Sequence, residues 1–292
     1  MSQLCRVLRM IRFEHSVFAL PFALGGAWLA AKGIPNLSDF FWIVLAAVFA
    51  RNAAMAFNRI VDRKFDASNP RTAERELVTG TIRVSWTKMF VAVNVVLFVF
   101  ASWMLAPICA WFSIPVLVIL LGYSYLKRWT ILCHFGLGLG LACSPAGAWL
   151  AISKDFLPGW ALPLWIGGGV LAWVSGFDLL YSLQDMEHDR KEKLRSIPSL
   201  LGASRTRALS LVLHILAIFL WWTFGEKAGL GQFYWIGLAL VAALLLCEHI
   251  LIQVGGLTRI PLAFFQVNSW VGPIWFFGLA LDLHQTAAIL AG

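Results

Sequence analysis

Residues 58–80 read NRIVDRKFDASNPRTAERELVTG and follow directly on the apolar run 39–57. Within them Asn58, Asp62 and Asp66 recur at steps of four. On a helix such steps share one face, drifting by about 40° each time. Arg59, Arg63 and Lys64 lie between them, and Arg71 and Arg75 follow. An acidic stripe flanked by cations, at the end of a membrane-length apolar run, suits two ligands at once. A divalent metal takes carboxylate oxygens, and a phosphate ester takes the cations. A solvated, salt-bridged loop is the plainer reading of a charge run, and this stretch alone leaves both open.

The rest of the chain supplies the setting. Of 292 residues, 60% are hydrophobic and 13% charged, against about 25% charged and 45–50% apolar in a soluble domain. This is the composition of an integral membrane protein. Fifteen Trp and 22 Phe fit it, since aromatic side chains gather at membrane interfaces. Cys5, Cys109, Cys133, Cys143 and Cys247 are scattered without a CxxC pair, so neither a disulfide frame nor a zinc site is expected. The first apolar run follows Arg6, Arg9 and Arg12 with no clear cleavage site, so no removable signal peptide is expected either.

A membrane span needs roughly 20 apolar residues. Nine candidate spans follow: 16–32, 39–57, 86–106, 108–126, 131–152, 160–181, 208–224, 233–254 and 268–290. Only Pro107 marks a turn between the third and fourth. With the N-terminus inside, 20 of the 23 Lys and Arg fall on the inner side, leaving Lys32, Lys154 and Lys227 outside. That asymmetry is the positive-inside pattern. It accounts for the net charge of +8 without any nucleic-acid partner. The expected fold is all-α, a polytopic membrane protein of about nine transmembrane helices with a cytoplasmic N-terminus. The whole chain, 1–292, is expected to form a single domain.

The loop after the sixth span answers the one after the second. It reads FDLLYSLQDMEHDRKEKLRSIPSLLG over 177–202 and places Asp178, Asp185 and Asp189 at i, i+7 and i+11. Asp178 ends an apolar run, where an ionisable group is a functional candidate by default. Arg190, Lys191, Lys193 and Arg195 follow. A shift of four spans maps one loaded loop onto the other, which suggests a tandem repeat. Two acidic stripes at the inner ends of two spans, each trailed by cations, suit a diphosphate bridged to protein by Mg²⁺. Magnesium prefers a few carboxylates plus substrate phosphates to an all-protein cage. The membrane then accommodates an isoprenoid tail on that diphosphate.

These segments resemble the UbiA superfamily of intramembrane prenyltransferases. The family's two aspartate-rich patterns, N-x-x-x-D-x-x-x-D and D-x-x-x-D, match Asn58, Asp62 and Asp66, and Asp185 and Asp189. The continuation RTAxRxLxxG places Arg71, Thr72, Arg75 and Gly80, and YSYLKRWT matches a Y-x-x-x-K-R segment through Tyr123, Lys127 and Arg128. Asp178 aligns with a further family aspartate. Two positions depart from the common pattern: Arg59 stands where many members have Asp, and Val78–Thr79 where many have Pro. The opening RFEHSVFALPFALGGAW resembles the 4-hydroxybenzoate polyprenyltransferase-like branch.

The resemblance implies transfer of a polyprenyl group from its diphosphate to a hydroxyaryl carboxylic acid, in ubiquinone or menaquinone biosynthesis. It implies Mg²⁺ held by Asn58, Asp62, Asp66, Asp185 and Asp189. Arg63, Lys64, Arg71, Tyr123, Lys127 and Arg128 are expected to bind the diphosphate, and Asp178 or Asp185 to orient or deprotonate the acceptor hydroxyl. Arg12, one turn before the first span, is the candidate for the acceptor carboxylate, with His15 beside it. The expected location is a bacterial inner membrane with the site facing the cytoplasm. The expected partners are the two substrates and membrane lipid, and the sequence points to no protein partner. Dihydroxynaphthoate or haem as acceptor are alternatives within the family, and an ion-coupled transporter is the alternative outside it. His134, His214, His249 and His284 lack ligand spacing and read as packing or interface residues. Gly136, Gly138, Gly140 and Gly147 lie inside a span and are expected to allow close helix approach or leave room for a tail.

Overall fold

The computed structural model describes residues 6, 10–11, 19–156 and 159–291. Among them there is no strand, and the described part of each apolar run is largely helical. In chain order these are α1 (Leu20–Ala31), α2 (Leu37–Val61), α3 (Val84–Leu105), α4 (Pro107–Trp129), α5 (Cys133–Ser153), α6 (Ala161–Ser182), α7 (Ile197–Ala228), α8 (Gln232–Gly255) and α9 (Asn268–Ala291). By length and composition, seven helical stretches among the described residues qualify as membrane spans. The last of them, Gln232–Gln285, runs from α8 into α9, while α1 is a shorter apolar helix. Large side chains such as Trp111, Val118, Ile215 and Leu246 face outward and exposed, as an integral membrane protein requires. Arg12 and His15 lie outside the described residues.

Local chemistry sets the helix ends. Asn36 caps α2 by accepting the Asp39 N–H at 2.8 Å, one of the orphan donors of a first turn. Pro107 occupies the first position of α4 after the fully extended Ala106, where its missing N–H costs nothing. This makes the expected turn between α3 and α4 a tight one. Ser196 and Ser199 form a reciprocal cap at the start of α7. That helix then kinks at Gly202, whose φ of 77° is open to glycine at little cost.

Helices α5, α6 and α7 pack in sequence, α2, α3 and α4 form a second group, and α8 pairs with α9. Helix α1 threads between them, touching α5 and α9. Phe22 of α1 sits 5.0 to 5.4 Å from the rings of Trp173, Trp221 and Trp275, one from each of α6, α7 and α9. All four are fully buried. Close approach of α1 to α5 depends on Gly26, because a Cβ there would stand 2.1 Å from the Pro145 carbonyl oxygen. Between the two groups a cavity of about 820 Å³ remains, lined by residues of α1 to α6 and by Phe264 and Phe265.

Candidate functional site

The cavity opens among the helix ends where the two acidic loops meet. Helix α2 ends at Val61, and a six-residue helix, Arg63–Ser68, follows. The break leaves the steps of four intact, because the Asp62 N–H bonds the Asn58 carbonyl and the Asp66 N–H bonds the Asp62 carbonyl. Asn58, Asp62 and Asp66 therefore all line the cavity. From the other side come Asp178 of α6, Asp185 on a 3₁₀ turn and Asp189 in the short helix Met186–Lys191. Tyr123 and Lys127 of α4 complete this end. The Arg195 N–H bonds the Lys127 carbonyl at 2.7 Å and its guanidinium bonds the Trp129 carbonyl, fastening the second loop to the end of α4.

Each aspartate has its own surroundings. Arg75 donates to both oxygens of Asp66 at 2.7 Å. Asp185 accepts from Asn69 at 2.7 Å and from Nε and Nη2 of Arg71. Arg71 in turn donates to the Tyr181 hydroxyl at 3.0 Å. Burial draws the Arg71 guanidinium down, but its hydrogen bonds and charge pairing with Asp185 outweigh this and hold it above its ordinary value. Asp62 accepts from Asn58 at 3.0 Å on one oxygen. Burial pushes its carboxyl above the ordinary range, with the Lys127 charge pulling it back. Asp189, almost fully buried, has Lys127 Nζ 3.6 Å away.

The unmade bonds define what this end of the cavity can hold. Oδ1 of Asp62 and Oδ1 of Asp189 are buried acceptors without a hydrogen-bond partner. Nε of Arg59, on the cavity wall, is a buried donor without one. Unpaired buried polar atoms cost about 1–3 kcal/mol each, so this end favours a ligand that offers both a cation and an anion. Among the described residues no three His, Cys, Asp or Glu side chains are close enough to hold a metal alone. The oxygen-only donor set still suits Mg²⁺, provided a ligand supplies the remaining oxygens.

Not every expected residue reaches the cavity. Arg63 and Lys64 point to the exposed side, and Arg63 Nε donates to the Leu77 carbonyl at 2.9 Å. One helical step past Asp62 turns them away from the stripe. Arg128 donates to the Val61 carbonyl at 2.7 Å and lies over the rings of Phe65 and Tyr125. It closes the C-terminal end of α2 rather than facing the cavity. Gly138 lets α5 meet α6, while Gly140 and Gly147 line the cavity.

Four residues passed over or given a plainer reading in the sequence line the site. Asn69 and Tyr181 hold the Arg71–Asp185 pair. His134, expected to be packing, bonds Asp178 at 2.7 Å. Arg51, one of the 20 inner-side cations, is inside α2 two turns before Asn58 and lines the cavity. It also donates to the Ile11 carbonyl at 3.2 Å. The signal for Arg51 was present, since an arginine within the apolar run 39–57 is a functional candidate by default.

Beyond the charged end the walls turn apolar. Ala23, Ile43, Ala46, Phe98, Leu105 and Leu150 line the remainder. The site is thus an ionic mouth leading into a hydrocarbon-like chamber.

Known proteins resemble this chain in sequence and in fold. Residues 19–280 match the model of the UbiA prenyltransferase family. The chain is similar to the 4-hydroxybenzoate octaprenyltransferase of Chromohalobacter salexigens, with 30% identity over 290 residues, covering 97% of this chain and 95% of that protein. The enzyme of the same name from Pseudoalteromonas translucida is 31% identical over 253 residues, covering 86% and 85%. Among solved structures, the apo UbiA homolog from Aeropyrum pernix K1 superposes with a TM-score of 0.84 at 33% identity, covering 93% of this chain and 98% of that one. The UbiA homolog from Archaeoglobus fulgidus bound to GPP and Mg²⁺ shares the fold, with a TM-score of 0.69 at 19% identity, covering 96% and 99%.

Proposed function

Because the chain belongs to the UbiA prenyltransferase family, we propose that it transfers a polyprenyl group from its diphosphate to the ring of a hydroxyaryl carboxylic acid. The acceptor is of 4-hydroxybenzoate type and the product serves ubiquinone or menaquinone biosynthesis, in line with the relatives' names. One observation carries the reading: unmade bonds of both signs sit at the ionic end of an otherwise apolar cavity. A polyprenyl diphosphate has that distribution of charge and grease. The family match favours this reading over a transporter, the other class considered.

Mg²⁺ would be held by Asn58, Asp62 and Asp189, with Asp66 and Asp185 offering the lone pairs their arginines leave over. When bound it neutralises charge on the departing diphosphate. Arg59, Arg71 and Lys127 bind the non-bridging oxygens, and Tyr123 lines the approach. The allylic carbon–oxygen bond breaks with its electron pair on the diphosphate, and an electron-rich ring carbon closes on the allylic carbon. Apolar walls keep water from the cation. Asp185 is engaged by Arg71 and Asn69, so Asp178 is the carboxylate that takes up the acceptor's proton. Arg51 faces the cavity two turns deeper than the metal residues and joins Arg12 as a candidate partner of the acceptor carboxylate.

In this reading the chain is one domain with nine spans, α1 to α9, and a cytoplasmic N-terminus. The site faces the cytoplasm of a bacterial inner membrane. The skew of 20 inner to 3 outer Lys and Arg supports that orientation. The test is to incubate membranes carrying the protein with labelled polyprenyl diphosphate and a panel of hydroxyaryl acids, with and without Mg²⁺. Label should move to a hydroxyaryl acid only with Mg²⁺.

A further inference from the structure

Asp178 differs from the other aspartates of the cavity in the kind of partner it has. Asp66 faces Arg75, Asp185 faces Arg71 and Asp189 faces Lys127, all permanent cations. Asp178 alone among the described aspartates of the site is paired with a histidine: His134 Nδ1 lies 2.7 Å from its Oδ2. The pair is layered. The His134 side chain is 3% exposed and that of Asp178 24%, so of these two lining residues the carboxylate is the more accessible. Nε2 of His134 is buried and has no hydrogen-bond partner, while Nδ1 is directed at Asp178.

The backbone fixes this arrangement. Ser175, one turn before Asp178, donates from its hydroxyl to the His134 carbonyl at 3.3 Å. A Cβ at Gly138 would stand 2.6 Å from that hydroxyl and 2.7 Å from the Leu171 carbonyl. The first turn of α5 is thereby held against α6 at the height where His134 meets Asp178. That height is seven residues, about 10 Å along a helix, before Asp185, between the ionic mouth and the apolar chamber.

We infer that His134 is a positioning residue for acceptor deprotonation. With the carboxylate ionised, Nδ1–H donates to Oδ2, which leaves Oδ1 to meet the acceptor. After the ring carbon has bonded the allylic carbon, its C–H electron pair returns to the ring and the proton passes to Asp178. His134 does not touch the substrate. It fixes the carboxylate's orientation through a directed hydrogen bond. This rests on the aryl-transfer reading above.

The test uses purified protein, a prenyl diphosphate, Mg²⁺ and 4-hydroxybenzoate carrying hydrogen or deuterium at the ring carbons beside the hydroxyl. His134→Leu should lower kcat by roughly 10- to 100-fold, the usual cost of losing an orienting partner. The KM for prenyl diphosphate should stay near its original value, which reports a folded site. A primary deuterium isotope effect, absent in the unaltered protein, should appear as proton removal becomes limiting. His134→Asn, whose amide can reproduce the Nδ1–H bond, should recover most of the loss and suppress the isotope effect. A fall in kcat without an isotope effect, an unchanged kcat, or Asn no better than Leu would each overturn the inference. Failure of the unaltered protein to prenylate any hydroxyaryl acid would instead overturn the functional reading.

Discussion

Arg71 and Asp185, 114 residues apart in the chain, are joined by two parallel hydrogen bonds from Nε and Nη2 to the two carboxylate oxygens. The contact binds the loop after α2 to the loop after α6, and Asn69 and Tyr181 brace it. The two acidic stripes are therefore parts of one cap over the cavity. Planar, bidentate pairing is particular to arginine, so Arg71→Lys should restore little of what Arg71→Ala removes. Each should raise the KM for prenyl diphosphate and lower kcat. A double-mutant cycle with Asp185→Asn should give a coupling of about 0.5–3 kcal/mol. Additive losses would show that the two residues act separately.

Asp62 and Asp189 present the two buried acceptor oxygens without hydrogen-bond partners. Asp62→Ala and Asp189→Ala should each abolish turnover while membrane insertion and folding survive. In the proposed reading both serve one cation and one diphosphate, so the double variant should be hardly worse than either single one. Steady-state rates at saturating Mg²⁺ check this. Full activity in either single variant would remove that residue from the site.

Arg128 gives the opposite expectation. Its bond to the Val61 carbonyl and its place over Phe65 and Tyr125 make it a support for the end of α2. Arg128→Ala should lower stability by about 1.5–3 kcal/mol, the range for a hydrogen bond involving a charged group. Thermal unfolding in detergent measures that loss, and the KM for prenyl diphosphate should remain close to its original value. A large rise in that KM with unaltered stability would return Arg128 to the diphosphate.

Arg51 sits deep enough to meet the carboxylate of an aromatic acid, beyond the cations at the mouth. Losing a charged partner in such a setting costs about 2–3 kcal/mol, or roughly 30- to 150-fold in KM where KM tracks binding. Arg51→Ala should therefore raise the KM for the acid and leave that for prenyl diphosphate nearly unchanged. A neutral phenol should be a poor acceptor for the unaltered protein and lose no further in the variant. Equal effects on both substrates would contradict the assignment.

The helices were legible because a span leaves a long apolar run, and the runs at 39–57 and 86–106 are cut only by charge and loop residues. The aspartates were legible through their steps of four, which the backbone bonds of Asp62 and Asp66 preserve across the helix break. Pairing between the loops was not. Nothing local to Arg71 says that it faces Asp185 rather than phosphate, since that depends on how α2 and α6 are brought together. The same limit hid His134, whose partner is 44 residues away on another helix. Arg63, Lys64 and Arg128 read as phosphate cations by proximity in sequence, yet a helix turns neighbours by about 100°. Two of them face outward and the third closes a helix end.

The most direct test of the account is product analysis on the purified protein, given polyprenyl diphosphate, 4-hydroxybenzoate and Mg²⁺. The predicted result is one diphosphate released for each acceptor consumed, with a new carbon–carbon bond at the ring carbon beside the hydroxyl and one ring hydrogen lost. Chelation of Mg²⁺ should stop both. Diphosphate release without acceptor consumption, a product joined through oxygen, or turnover unaffected by chelation would contradict it.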